Sequence, residues 1–285
     1  MTVAEPLSQP VAFASGKTHR DENFPVASLL LRPEYRAPVM AFYRFARAAD
    51  DIADHPSGAP ADKLALLGAM RAGLAGNPRG AREGLALRSA MAERRIDPCH
   101  AHQLLDAFER DVTVNRYADW DMLIDYCGVS AMPVGRYVLD VHGEDRRTWP
   151  ASDSLCAALQ IINHLQDCGK DFRELDRVYL PADALAAQGA SVRELGADRA
   201  SPALRATIAA LALRTRGLLD QSAGFASMIR DRRLASEVAA IHALAVSLNA
   251  RLERRDPLSQ HVHHRKAEAA LIAARAALPV FLRTR

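Results

Sequence analysis

The sequence predicts an all-α protein, and three observations carry that expectation. Ala supplies about one residue in five of the 285; it is the best helix former and is depleted in strands. Aromatic residues are only 6% of the chain, whereas strands favour aromatic and β-branched residues. Between chain breakers, apolar residues recur at three- and four-residue intervals, with no sustained period of two and no internal repeat.

The breakers fall at Pro33, Pro56-Ser57-Gly58, Asn77-Pro78, Asp97-Pro98, Trp149-Pro150, Pro181, Ser201-Pro202 and Asp256-Pro257. The first segment, FARAADDIAD at 45–54, reads as helix. Leu64, Leu67 and Leu74, then Leu85 and Leu87, mark short Gly-broken helices on either side of the 76–80 turn. Leu104, Leu105 and Phe108 mark a helix after Asp97-Pro98. Residues 122 to about 141 read as one helix kinked at Pro133. Ser152 or Asp153 is the expected N-cap of a helix reaching about Asp171. Helices follow at about 203–231 and 233–254. No linker is long or polar enough to divide the chain, so a flexible segment 1–14 and one domain, 15–285, are expected.

Composition excludes several classes. With 49% hydrophobic and 25% charged residues the chain is neither disordered nor fibrous. Cys99, Cys127, Cys156 and Cys168 form no Cys-x-x-Cys pair, which points to free, packed thiols in a reducing compartment. The N-terminus lacks the basic start and apolar run of a signal peptide, and no apolar stretch is long enough to span a membrane. A net charge of +3 gives no reason to expect nucleic acid. The bases are unevenly placed, however. From Arg251 onward Lys and Arg outnumber Asp and Glu, either as a solvated face or as a contact for an anionic membrane surface. The expected location is the cytoplasm, with this segment a candidate peripheral contact for the inner membrane. No obligate protein partner is evident.

Chemistry is concentrated in two helical stripes. In the first, Tyr43, Arg47, Asp50 and Asp54 follow intervals of four, three and four and so share a face. Asp51 is rotated by about 100° and is expected to point elsewhere. Two carboxylates one turn apart repel unless something neutralises them. A plain surface helix with Arg47–Asp50 and Arg47–Asp51 pairs is the alternative reading. In the second stripe, INHLQDCGKD at 162–171, Asn163, Asp167 and Asp171 are four apart and Gln160 extends the row, beside apolar Leu155, Leu159 and Ile162. Two Asp-x-x-x-Asp pairs facing one another would make an oxygen-lined box. Hard Mg²⁺ prefers such carboxylates and keeps positions for water and phosphate oxygens. The matching chemistry is departure of a diphosphate, whose growing charge Mg²⁺ neutralises.

At these residues the sequence resembles the squalene and phytoene synthase family. The two stripes, DYCGVSAMPVG (125–135) and DRVYLP (176–181) carry the likeness, which runs from about residue 15 to 260 in the family's order. The resemblance implies a single-domain, isoprenoid-synthase-like helical bundle around a central cavity. It implies Mg²⁺ and diphosphate at Asp50, Asp54, Asn163, Asp167 and Asp171, with Tyr43, Arg47 and Tyr126 lining the ionisation site. Phe24, Ala131, Val134 and Gln160 would border the prenyl chain.

Departures narrow the likeness. DENFPVAS (21–28) replaces the family's Ser-x-Ser-Phe-like element, leaving Asn23 as a phosphate donor beside Asp21 and Glu22. Gln166 stands where the family usually has Arg, which removes a cation beside the diphosphate. The segment 248–256 lacks the Tyr of the reductive synthases. HRDENFPVAS and NHLQD resemble the family's bacterial hydroxysqualene branch, diphosphate-releasing carbon–oxygen lyases. That branch is implied to ionise presqualene diphosphate and capture the rearranged cation with water, without reduced nicotinamide. No Gly-rich dinucleotide fingerprint is present. Gln160, Gln166 or Asn163 would orient the water, helped at the diphosphate by Arg47 and Lys17 or Arg20. Aromatic faces at Phe24, Phe42, Tyr43 and Tyr126 would stabilise the cation by about 0.5–2 kcal/mol each. The rival readings are a head-to-head transferase that joins two farnesyl diphosphates, and a catalytically silent helical assembly or lipid-binding protein.

Other features read as structural. The cluster His261, His263 and His264 is expected on an exposed polar face. Trp120 and Trp149 are expected to anchor packing, and His164 to be a hydrogen-bonded core residue.

Overall fold

A computed structural model of the chain describes residues 32–282. Every element among the described residues is helical except one isolated bridge between Arg116 and Val178, so the all-α expectation holds. Two compact units are present, 32–113 with 137–143, and 114–136 with 144–282.

In the first unit, α1 (Pro33–Ala53) begins on Pro33, whose fixed φ suits a first helical turn. It buries Val39, Phe42, Phe45, Ala49 and Ile52 at three- and four-residue spacing. Phe42 stacks on Tyr137, with ring centroids 4.0 Å apart, and the Tyr137 hydroxyl donates to the Pro38 carbonyl at 3.1 Å. α2 (Pro60–Leu74) and α3 (Arg82–Ala92) pack closely because Gly84 has no side chain. A Cβ there would lie 2.4 Å from the Met70 carbonyl oxygen. α4 (Cys99–Thr113) lies against α1 and α2 and buries Leu104, Leu105 and Ala107.

The second unit is organised on α7 (Trp149–Leu175), which packs on α9 (Pro202–Ser222) and α11 (Arg232–Leu252). α7 begins earlier than Ser152. Pro150 sits in its first turn, where its missing N–H is tolerated, and Asp153 binds the Arg136 guanidinium through both oxygens at 2.8 and 2.6 Å. The expected single helix over 122–141 is two helices, α5 (Trp120–Ser130) and α6 (Met132–Val141). The chain breaks at Ala131, which moves Pro133 into a first turn and removes the need for a kink.

α8 (Ala182–Ala187) and α10 (Phe225–Met228) are short, and α12 (Lys266–Leu282) ends the described chain. The helix expected over 203–231 stops at Ser222. The buried Glu144 carboxylate accepts the N–H groups of Arg230 at 2.9 Å and Asp231 at 2.8 Å, holding the chain open there. Asp231 then caps α11. The four cysteines are free thiols, and burial pushes Cys127 and Cys168 up to about 12, so both stay protonated.

Candidate active site

On α1, Arg47 bridges two carboxylates. Its Nη1 lies 2.8 Å from Asp50 and its Nη2 2.6 Å from Asp51. Both ion pairs of the alternative reading are therefore present, because the long guanidinium reaches both sides of the turn. Asp54 ends the helix, its N–H donating to the Asp50 carbonyl at 2.9 Å. Asp111, a buried residue of α4, adds a carboxylate that the α1 spacing gave no reason to include. Burial first, then repulsion from Asp54, pushes the Asp50 carboxyl up to about 7; Asp51 and Asp111 add to this and Arg47 opposes it. A third of the Asp50 side chain, 34%, nevertheless faces solvent. That opening makes the repulsion among carboxylates, rather than burial, the part of the shift that a dissolved cation can relieve.

On α7, Gln160, Asn163, Asp167 and Asp171 are all half-buried, while Leu155, Ile161, Ile162, Leu165 and Cys168 on the other faces are fully buried. A stripe of acids on a helix enclosed by core is not an ordinary solvent face, which would be broad and fully wetted. Gln166 behaves differently. It lies about 100° around the helix from Asp167 and is buried, its amide nitrogen 3.1 Å from His263 Nδ1. Its carbonyl oxygen has no hydrogen-bond partner among the described residues.

Beside this stripe is an aromatic cluster. Tyr126 lies within 5.4 Å of Tyr117 and 5.5 Å of Tyr179, centroid to centroid. The His164 ring stacks on Tyr179 at 3.4 Å, and its Nε2 is 3.0 Å from the Gln160 amide nitrogen. The buried Arg177 donates to the Tyr179 hydroxyl at 3.3 Å. Burial, and then the Arg177 charge, push His164 down to about 3, so its imidazole is neutral. The expectation of a hydrogen-bonded core histidine fits this placement. Arg177 and Tyr179 belong to DRVYLP, the one signal in the sequence that marked them; Tyr117 has none, since only folding brings residue 117 beside 126 and 179.

Of the remaining expected residues, Ala131 is buried at the break between α5 and α6, whereas Val134 is 40% exposed. Asn23 and Phe24, with Lys17 and Arg20, lie outside the described residues. Trp120 carries Arg214 over its ring at 4.5 Å and Trp149 carries Arg136 at 5.0 Å, as packing anchors do. The histidines near 261–264 are not simply a solvated face: His263 holds Gln166, and His264 Nε2 is 2.9 Å from the Ser247 hydroxyl.

Comparison with known proteins decides the family. The chain matches the squalene/phytoene synthase family over residues 17–268. The chain belongs to the squalene/phytoene synthase family. It is 52% identical to the hydroxysqualene synthase of Zymomonas mobilis over 90% of this chain and 87% of that one. It is 54% identical to the hydroxysqualene synthase of Rhodopseudomonas palustris over 89% and 87%. The crystal structure of squalene synthase HpnC from Alicyclobacillus acidocaldarius superposes with a TM-score of 0.74 at 31% identity, covering 86% of this chain and 92% of that one. Placement in the hydroxysqualene branch of the squalene/phytoene synthase family, read from HRDENFPVAS and NHLQD, therefore stands.

Isoprenoid synthases of this kind generally use a divalent metal, and the donors here suit a hard one. Among the described residues no three carboxylate, imidazole or thiolate groups form a ready-made metal cage. Asp50 and Asp54 instead form an open, mutually repelling pair, which fits an ion that keeps several waters and takes only one or two carboxylates from the protein.

Proposed function

We propose that this chain is a hydroxysqualene synthase: presqualene diphosphate plus water gives hydroxysqualene plus diphosphate, with residues 15–285 as its catalytic domain. The observation that carries the reading is the crowded carboxylate group around Asp50, whose carboxyl is pushed up by burial and by Asp54 beside an open approach. Asp50, Asp54, Asn163, Asp167 and Asp171 hold Mg²⁺ in this reading. When bound, that ion neutralises the charge growing on the departing diphosphate.

The chain's own groups do the rest. Arg47 bridges the Asp50 and Asp51 carboxylates and opposes the rise of the Asp50 carboxyl, so that Asp50 is available as an oxygen donor. Tyr126, with the Tyr117 and Tyr179 rings beside it, presents π faces to the cyclopropylcarbinyl cation left behind, a role that the family resemblance gives to Tyr43 as well. His164, being neutral, adds a dipole there beside the buried Arg177 guanidinium. Gln160, held by His164, and Asn163 orient the water that captures the cation; its oxygen forms the new C–O bond and its proton leaves to solvent or to diphosphate. No hydride is required, so no reduced nicotinamide takes part.

The test is incubation of the protein with presqualene diphosphate and Mg²⁺, with and without reduced nicotinamide. Hydroxysqualene in both samples supports the proposal. Squalene appearing only with nicotinamide would overturn it. Consumption of farnesyl diphosphate alone would instead favour a transferase.

A further inference from the structure

α12 breaks the usual rule for a surface helix. None of its seventeen residues is buried. Its inner side, with Ile272, Ala273, Ala276 and Val280, is half-covered, and α12 packs on α11. Its outer side should be polar. Instead Leu271 is 70% exposed, Leu278 57% and Leu282 63%, with exposed Ala267 and Ala274 beside them and Phe281 at the flank. At 100° per residue the three leucines fall within about 40° of one another, a continuous apolar ridge along the helix.

The ridge is presented firmly. At one end the Arg251 guanidinium of α11 binds the Glu268 carboxylate. At the other, Arg232 of α11 donates to the Phe281 carbonyl and sits over the Phe281 ring at 5.8 Å. The charges along the described helix and just before it are mostly of one sign: Arg265, Lys266 and Arg275 stand against one acid, Glu268. That acid is already neutralised by Arg251. Arg275 lies about 40° around the helix from Leu271, so its stem runs beside the leucines while its head can reach outward.

We infer that α12 is an in-plane docking helix for an anionic lipid surface: its leucine ridge enters the headgroup–acyl boundary and its arginines meet lipid phosphates. The chemistry of each half selects that occupant. An apolar ridge alone would equally suit a protein, but an apolar ridge bordered by bases of one sign matches a bilayer of anionic lipids. None of the described helices, α12 included, is long and apolar enough to cross a membrane. The use of such docking rests on the proposed reaction, whose substrate and product are both greasy.

The test uses the full chain without substrate or Mg²⁺, so its outcome is independent of whether the proposed reaction is correct. Co-sedimentation is measured with vesicles of phosphatidylcholine, and of phosphatidylcholine mixed with phosphatidylglycerol. The expected result is binding to the anionic vesicles that weakens as salt is raised. Leu271→Gln combined with Leu278→Gln is expected to lower the partition coefficient at least about tenfold, because each leucine loses its apolar transfer. Arg265→Gln, Lys266→Gln and Arg275→Gln together are expected to lower it about tenfold or more on anionic vesicles only. Circular dichroism, and turnover of detergent-solubilised substrate where there is turnover, should stay at wild-type level in both variants. Failure of the unaltered chain to bind anionic vesicles, or binding of the leucine variant at wild-type strength, overturns the inference. A concentration-dependent dimer that the leucine variant dissolves, without vesicle binding, overturns it in favour of a second copy of the chain.

Discussion

Asp50 offers a test in which stability and function should move in opposite directions. Its carboxyl is pushed from an ordinary 3.8 to about 7, by burial and then by Asp54, Asp51 and Asp111 against the pull of Arg47. A carboxyl raised on folding lowers the stability of the folded state wherever it must be ionised. The cost is absent below about pH 4, where the group is protonated folded or unfolded. It grows as pH rises, because the unfolded chain releases the proton first, and it is complete above about pH 7. One pKa unit corresponds to about 1.36 kcal/mol. With a third of the side chain in solvent, screening leaves about 1–2 kcal/mol of the full shift. Asp50→Asn keeps the shape and an oxygen for Arg47 while removing the charge. At pH 8 in the presence of a chelator, the variant is expected to melt about 2–6 °C above wild type. The gain should shrink progressively toward pH 4. Adding Mg²⁺ should raise the wild-type Tm, by the ordinary linkage of ligand to folding, and leave the variant nearly unmoved. Turnover of presqualene diphosphate should fall at least about a hundredfold. If the Asp50→Asn variant instead melts below wild type at pH 8 in chelator, the reasoning is refuted, because Asp50 would then be stabilising rather than held under repulsion.

Three further outcomes follow from the geometry. His164 is neutral down to about 3 by burial and by Arg177, so its contribution to stability is complete above about pH 6.5 and is lost as pH falls from there; His164→Gln should reduce the loss of stability between pH 6.5 and 5 by about 1–2 kcal/mol, read from urea melts at the two pH values. Gly84→Ala places a Cβ 2.4 Å from the Met70 carbonyl and 2.7 Å from the Leu74 nitrogen, both backbone atoms that cannot rotate away, and should cost about 1–3 kcal/mol, measured as a lower urea midpoint. Gln166→Arg buries a cation against His263 at a position 6% exposed; a loss of about 2 kcal/mol or more with an unchanged product ratio is expected, and a shifted ratio at full stability would assign Gln166 to the water instead.

How much of this was legible in the sequence depended on the range of the interaction. Helices were readable because their period is local, and so were two separate acidic rows, Asp50 with Asp54 on one helix and Asn163, Asp167 and Asp171 on another, since a four-residue interval fixes a shared face in any helix. Boundaries failed where a distant group set them. The helix expected over 203–231 stops at Ser222, and its last residues are taken out of it where Glu144, far back in the chain, takes the N–H groups of Arg230 and Asp231. Pro133 reads as a kink in the sequence because nothing local says that the chain breaks at Ala131 and gives Pro133 a first-turn place.

The same division runs through the candidate site and explains its chemistry. A spacing argument can place acids on a face, but it cannot say whether they are comfortable there. The Asp50 carboxyl is raised by burial and by Asp54 first, with Asp51 and, from sixty-one positions later, Asp111 adding to it, while Arg47 is shared between Asp50 and Asp51. Likewise Tyr126 alone is a buried ring; with Tyr117, Tyr179, His164 and Arg177 around it, it belongs to a π-rich wall whose histidine is kept uncharged by burial and by the neighbouring cation. Both effects are non-local: the carboxylate repulsion at Asp50 arises among helices packed together in one unit, and the neutral imidazole of His164 beside the buried Arg177 guanidinium arises in the other.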